Sequence, residues 1–443
     1  MKLKQLAARA AGSSSGLLLA TLASFSATAF LSRSLSPAAY SAIILAMSTA
    51  LILSQVAQLG LMRTGIRLVA EYRLRSDAAE LKSFLVFAFL AVALVSVVLA
   101  LGVGNLFGVV FTEGSFVPGT GLLAALLIWP FAVSRLASGV LIGQNRPRFG
   151  SFFQSGIPNL GILLAVVSAS VALDTGLGAH GSLVVLLGAY VVTFAGLGLL
   201  LPSIGDLRGV QRAPFRPRAW LVISLPLMLL GLMQIANRQA SVLVIGAFGE
   251  SGDVARFFPA FRISDLATFG LLAVNAAIAP RIAEASSSGD RESLQCALHS
   301  AALLSLGSTV VLVAAILCLQ SHFFSFFGGV AEDGERVLLI LLVGQIVNAA
   351  TGSVSLLMTM SGQEKFVASV STGMTIVHVL TQVPLVAYYG IEGAAAGMAA
   401  TSGLWNLILL HRAKSRLGVN PTVFSRMGPG RPGHHERYRQ RLR

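Results

Sequence analysis

Charged side chains are rare within the long apolar stretches of this 443-residue chain, and among the few are four arginines and one aspartate. They are Arg135, Arg238, Arg256, Arg262 and Asp265. A guanidinium stays charged at every physiological pH and presents a fixed fork of N–H donors that suits carboxylate or phosphate oxygens. Charges are costly inside an apolar stretch, so these positions predict contact with protein, water or an anionic ligand.

Two interpretations of these charges stay open. Asp265 follows Arg262 by three residues, which places both on one helix face, so the acid could simply neutralise Arg262 or Arg238. One acid cannot neutralise three arginines, however, and Arg135 has no acid in its own stretch. At least one cation is therefore expected to meet an anion. Arg256 lies near the end of its stretch, where an arginine commonly snorkels to the interface.

The elements that must position these residues are membrane-spanning helices. The chain is 55% hydrophobic and 11% charged, with a mean hydropathy of +0.79. A span needs roughly 20 mostly apolar residues. The pattern predicts an all-α, polytopic membrane protein with twelve spans, at 12–32, 39–62, 83–111, 119–143, 150–173, 179–203, 219–248, 254–283, 295–323, 336–361, 366–389 and 391–411.

Basic residues concentrate in alternate loops between the predicted spans, and the remaining loops are richer in Asp and Glu. The positive-inside rule then places both termini in the cytoplasm. This rule also accounts for the net charge of +14, so we expect no nucleic-acid partner. The basic tail is expected to attract anionic membrane lipids. A cleaved signal peptide at the N-terminus is an alternative that would spoil the even span count.

The two halves of the chain repeat each other. Ala70-Glu71, Asp77 and Leu81 recur in the same register as Ala283-Glu284, Asp290 and Leu294, and Gly143-Gln144 recurs as Gly362-Gln363. Repeats of six spans keep one orientation and form two parallel lobes. We therefore expect an N-lobe at 1–203, a basic cytoplasmic linker at 204–218, a C-lobe at 219–411 and a basic disordered cytoplasmic tail at 412–443.

Several segments resemble motifs of the polysaccharide (O-antigen type) flippases, within the multidrug, oligosaccharidyl-lipid and polysaccharide exporter superfamily. These segments are 35–40 (LSPAAY), 58–61 (QLGL) with Arg67 and Glu71, Leu225-Pro226, Pro280 and 390–395 (GIEGAA). Two positions depart from the family pattern. Ser41 replaces a usual Gly, and Asn237-Arg238-Gln239 stands where many relatives carry an Asp.

The resemblance implies two six-helix lobes around a central cavity that opens alternately to either side of the bacterial cytoplasmic (inner) membrane. It implies outward transport of polyprenyl-pyrophosphate-linked oligosaccharide for surface polysaccharide synthesis, with a polysaccharide polymerase and chain-length machinery as possible partners. On this basis we expect a cationic cavity formed by Arg135, Arg238, Arg262 and Asp265. Arg63 and Arg67 either reflect topology alone or capture the lipid headgroup at a cytoplasmic entrance.

Other functions remain as alternatives. A lipid II flippase, which handles a peptidoglycan precursor, and a cation-coupled multidrug exporter belong to the same superfamily. A membrane glycosyltransferase or polymerase of the same pathway would need a large external loop, and the longest predicted external loop has about a dozen residues. The sequence has no Gly-rich phosphate loop, metal-ligand cluster or nucleophile with its base. We therefore expect no enzyme activity, no cofactor and no metal.

Overall fold

The structure is a computed structural model that describes residues 24–110, 120–146, 149–150, 153, 213–250, 252–288, 291–328 and 334–424. These residues form helices and no strands. The helices are α1 (24–34), α2 (Pro37–Ala57), α3 (Leu61–Leu74), α4 (Ala78–Val110), α5 (Thr120–Gly143), α6 (Pro217–Phe248), α7 (Asp253–Asp265), α8 (Thr268–Ser288), α9 (Arg291–Cys318), α10 (Gln320–Phe326), α11 (Glu335–Ala350), α12 (Val354–Met360) and α13 (Glu364–Arg412).

Seven helical segments of the described residues are long and apolar enough to cross a membrane. They are α2, α4, α5, α6, α9, α13 and the run Asp253–Ala279 through α7 and α8. The α11–α12 pair, bent by 42°, brings the number to eight if it forms one span. The all-α polytopic class is confirmed. The predicted spans at 150–173 and 179–203, and much of that at 12–32, lie outside the described residues.

The long helix α13 contains two of the predicted spans. Gly390 adopts φ 56° and ψ −140°, which is not a helical conformation. Gln382 Nε2 donates to the carbonyl of Ala394 at 3.1 Å, although residues twelve apart in a straight helix are separated by about 18 Å. The chain therefore folds back at Gly390. This position agrees with the predicted end of one span at 389 and the start of the next at 391.

The second predicted span ends earlier than expected, because the chain turns sharply between α2 and α3. Leu59 and Gly60 both have positive φ, at 51° and 76°. A Cβ at position 60 would overlap the carbonyl oxygen of Ser224 in α6, so only glycine fits this turn. At the other end of α2, Ser36 accepts from the backbone N–H of Ala39 and Pro37 occupies the first turn.

Helix α3 packs closely against α5 through small residues. Gly139 and Gly143 lie one turn apart on α5, and a Cβ at position 139 would overlap the carbonyl oxygen of Met62. A Cβ at position 143 would be 3.0 Å from the carbonyl oxygen of Gly65. Glycines at this spacing allow two membrane helices to approach backbone to backbone. The turn at Gly60 and these contacts hold α3 between α5 and α6.

The chain divides into two compact units. The first contains residues 1–262, 321–337 and 378–394, and the second contains residues 263–320, 338–377 and 395–443. The first unit holds α1 to α6, with α2 contacting both α5 and α6. The predicted lobes at 1–203 and 219–411, joined by the linker at 204–218, stay a prediction.

The second unit is built on a core of α8, α9, α12 and the end of α13, with Ile282, Leu298 and Leu357 fully buried. Residues 413–424, within the segment expected to be a disordered tail, are ordered here. They form one π-helical segment, Ala413–Leu417, and an extended stretch in which Asn420 exchanges two hydrogen bonds of 2.7 Å with Gln295. Val419 is buried in the core, which explains this order. The tail beyond 424 lies outside the described residues.

Candidate functional site

Arg135 lies in the middle of the candidate span α5 and is half-buried. Its Nη1 donates to Oε1 of Gln55 on α2 at 3.0 Å. Gln55 is 6% exposed. Among the described residues, this amide is the hydrogen-bond partner of Arg135, and no ion pair with a carboxylate is formed. A guanidinium that meets only a neutral amide keeps its positive charge for another ligand.

Gly231 of α6 leaves the space that the Gln55 side chain occupies. Gly231 is buried, and a Cβ there would overlap Nε2 of Gln55. Because a guanidinium can only donate, the atom of Gln55 that faces Arg135 must be the carbonyl oxygen, and its NH₂ group then lies against Gly231. Helices α2, α5 and α6 thus meet at one polar contact.

Arg63 reaches the same part of α6 from α3. Its Nη2 donates to Oε1 of Gln234 at 2.6 Å, and Gln234 lies one turn beyond Gly231, just past the middle of the 32-residue helix α6. Side chains on a helix point towards its N-terminus, so Arg63 extends back past the turn at Gly60. The guanidinium of Arg63 thus contacts the middle of a candidate span, and its role at a cytoplasmic entrance stays a prediction.

We call Arg63, Gln234, Gly231, Gln55 and Arg135 the arginine-glutamine layer. The layer carries two positive charges, each held by the oxygen of a glutamine amide. Ion pairs of the described residues include Arg75–Glu71, Arg216–Glu80, Arg256–Asp253 and Arg336–Glu392, and none of these four involves the layer. Each guanidinium has five N–H donors, so each arginine keeps donors that suit an anion with several oxygens.

Burial also affects the basicity of the layer. Arg63 lies outside the candidate spans, in α3, and partial desolvation lowers the pKa of its guanidinium from the ordinary value. Arginine side chains in proteins are effectively always protonated near neutral pH. The charge at Arg63 is thus insensitive to physiological changes in pH.

Further buried polar side chains lie within a few residues of Gln55 and Arg135 in the sequence. The side-chain amide of Gln58 and the hydroxyls of Ser134 and Ser138 are buried and have no hydrogen-bond partner among the described residues. Burying a polar group without a partner costs about 1 to 3 kcal/mol. The amide of Gln58 and the two hydroxyls can therefore form hydrogen bonds to a further ligand.

The other predicted site residues, Arg262, Asp265, Arg238 and Arg67, are not members of the arginine-glutamine layer. Arg262 of α7 donates to Ser24 Oγ in α1 and lies 5.9 Å from the ring centroid of Phe258. Asp265 ends α7, and its carbonyl accepts from Thr268 Oγ1 at 2.7 Å. The division between the two compact units falls between these two residues, after position 262. Arg238 is exposed on α6, and Arg67 is exposed on α3 one turn after Arg63.

Sequence reasoning identified Arg135 and Arg63 separately but did not join them to Gln55 and Gln234. Gln55 is separated from Arg135 by 80 residues, and Arg63 from Gln234 by 171. Gly231 was missed altogether. The available signal was a glycine within a long apolar helix one turn before a glutamine, since such a glycine commonly marks close packing.

Comparisons with known proteins bear on the fold of the chain. The MatE family model matches residues 226–387. No curated protein matches the chain. Among solved structures, an inward-facing multidrug resistance MATE family transporter of the MOP superfamily has a TM-score of 0.72 at 17% identity, covering 92% of this chain and 98% of the other. An outward-facing one has a TM-score of 0.56 at 18% identity, covering 91% and 95%.

A further likeness extends to the lipid II flippase MurJ in its inward closed conformation. The TM-score is 0.70 at 15% identity, with 91% of this chain and 87% of the other covered. Likeness at these identities establishes the fold. The chain therefore has the polytopic fold of solved MATE transporters, and its residues 226–387 match the MatE family model.

Proposed function

We propose that this chain is a flippase that moves polyprenyl-pyrophosphate-linked oligosaccharide across the bacterial cytoplasmic membrane by alternating access, for surface polysaccharide synthesis. The observation that carries the proposal is the arginine-glutamine layer, where Arg135 donates to the neutral amide of Gln55 and Arg63 donates to that of Gln234. Two guanidinium groups that form no ion pair with a described carboxylate suit a pyrophosphate, whose oxygens accept from such N–H donors. The MATE transporter fold supports a carrier for such a ligand.

The proposed cycle needs no covalent step. The pyrophosphate and its sugars pass through a hydrated interior while the polyprenyl tail stays in lipid. The arginines lower the cost of bringing phosphate charge away from water, because opposite charges interact more strongly in a low dielectric. Both termini are proposed to face the cytoplasm. A polysaccharide polymerase and chain-length machinery would act on the exported product.

Lipid II, a peptidoglycan precursor, is the second candidate substrate. The structural likeness to a solved lipid II flippase favours it, and the same layer would serve a lipid-linked pyrophosphate. The likeness to multidrug transporters favours a third candidate, export of drugs. The positive sign of the layer opposes that use for cationic drugs, since like charges repel.

The test replaces arginines in the native host, whose chromosomal copy is exchanged for each variant. We expect Arg135→Ala and Arg63→Ala each to lower surface polysaccharide at least about tenfold, since each removes a charge-assisted contact. Arg75→Ala is the matched control, because Arg75 is exposed and pairs with Glu71 on the helix surface. Wild-type export from the double variant, at unchanged membrane abundance, would refute the proposal.

The lipid-linked intermediates that accumulate in the double variant identify the substrate. Intermediates carrying repeat-unit sugars support the oligosaccharide. Intermediates carrying the peptidoglycan precursor, with lysis, assign the chain to lipid II instead.

A further inference from the structure

The two arginines of the layer have the same kind of hydrogen-bond acceptor. In each case the acceptor is a glutamine Oε1, at 3.0 Å from Arg135 and 2.6 Å from Arg63. A glutamate has the same shape as glutamine and would form a stronger, charge-assisted bond with the same guanidinium. It would also cancel the charge. The chain instead places a neutral group at both contacts.

The geometry points to a positioning role for both glutamines, and we propose that Gln55 and Gln234 hold Arg135 and Arg63 in place without neutralising them. This inference rests on the proposed function, because it assumes that the arginines meet an anionic headgroup. Gln55 is well suited to such a role, since it is 6% exposed and confined by Gly231. A confined acceptor keeps its arginine from bending towards the membrane interface, as long cationic side chains otherwise do.

A neutral acceptor also allows the guanidinium to exchange its hydrogen bond for one to an anion. When an anion arrives, the guanidinium gives up a bond to an uncharged amide and gains one to a charged oxygen, which is stronger. If the acceptor were a carboxylate, the anion would have to displace a charge of its own sign. The layer can thus bind and release a pyrophosphate. The neutral glutamines favour this exchange because they leave both arginines charged.

The test compares substitutions that we expect to rank differently in stability and in transport. Gln55→Glu keeps the acceptor and adds a negative charge, whereas Gln55→Met keeps the volume and removes the acceptor. We expect thermal stability in detergent to fall in the order Gln55→Glu, wild type, Gln55→Met. We expect export to fall in the order wild type, Gln55→Met, Gln55→Glu, with the last reduced at least about tenfold. A purely structural role predicts that export follows stability, and that result would overturn the proposal.

The exposed member of the pair provides an independent variant if Gln55→Glu fails to fold. Gln234→Glu should reduce export by a similar factor, because it neutralises Arg63 at a position that tolerates polar groups. Asn237→Asp is the matched control: Asn237 is exposed on the same helix, and the substitution adds the same charge. If Gln234→Glu and Asn237→Asp behave alike, the effect comes from charge in general and the positioning role is refuted.

A binding readout separates this inference from the proposed function. Native mass spectrometry of the purified protein with undecaprenyl pyrophosphate should show retention by wild type and loss in Gln55→Glu, Gln234→Glu and the arginine variants. Loss in the arginine variants with full retention in both glutamate variants would overturn the role of the glutamines and leave the proposed function intact. Full retention in the arginine variants would refute the proposed function itself.

Discussion

Gly231 lies directly against Gln55, and a Cβ at position 231 would overlap the amide nitrogen of that glutamine. The contact joins α6 to α2 at the level where Gln55 holds Arg135. A glycine in the interior of a helix usually weakens it by roughly 0.5 to 1 kcal/mol relative to alanine. Here the absent methyl group is what admits the glutamine.

We expect Gly231→Ala to lower export several-fold with little loss of stability. The overlapping atom is the far end of a flexible side chain, so Gln55 can move aside, but it then leaves Arg135. Gly307→Ala on α9 is the control, since nothing lies within 4 Å of a Cβ there. Surface polysaccharide and thermal melting of the purified variants measure the two effects. Equal export from both variants would contradict the prediction.

We expect Gly60→Ala to prevent accumulation of folded protein. The residue needs φ 76°, and its Cβ would also overlap a backbone carbonyl that cannot easily move. Gly362→Ala isolates the first effect, because Gly362 has φ 74° and open space around it. The control should cost only about 1 to 2 kcal/mol of stability. Membrane abundance and melting temperature test the pair, and similar losses for both would disprove the role of crowding.

We expect Lys365 and Lys414 to lie on the same side of the membrane. The fold-back at Gly390 returns the chain, so the two ends of the 364–417 segment face one compartment. Lys365→Cys and Lys414→Cys, each in a Cys296→Ser/Cys318→Ser background, should react with a membrane-impermeant maleimide from one side only. Tyr389→Cys should react from the other side. Labelling of the two lysine positions from opposite sides would show one continuous helix.

We expect residues 418–424 to stabilise the second compact unit. Asn420 bonds Gln295 twice, and the N–H of Val423 donates to the carbonyl of Ala350 at 3.4 Å. Removal of residues 418–443 should therefore lower the melting temperature by several degrees, since about 1 kcal/mol is lost for each such bond. Removal of 425–443 alone keeps these contacts and serves as the control. Equal melting of the two truncations would exclude a role for the segment.

The sequence predicted some details of the fold well. The break at Gly390 follows from a glycine between two apolar runs, because each run is already long enough to span. The shorter second span was not predicted. Its end depends on the fit of Gly60 against Ser224, a contact between positions far apart in the chain.

The amino-acid sequence by itself determined that this is a polytopic helical membrane protein with arginines inside its apolar stretches, because span length and charge are local properties. Only the tertiary structure decided that Arg63 bonds Gln234 of α6 and that Arg135 bonds Gln55 of α2, which packs against Gly231 of α6. A hydrogen bond between distant residues depends on how helices pack, and close packing at Gly60, Gly139 and Gly231 sets that arrangement.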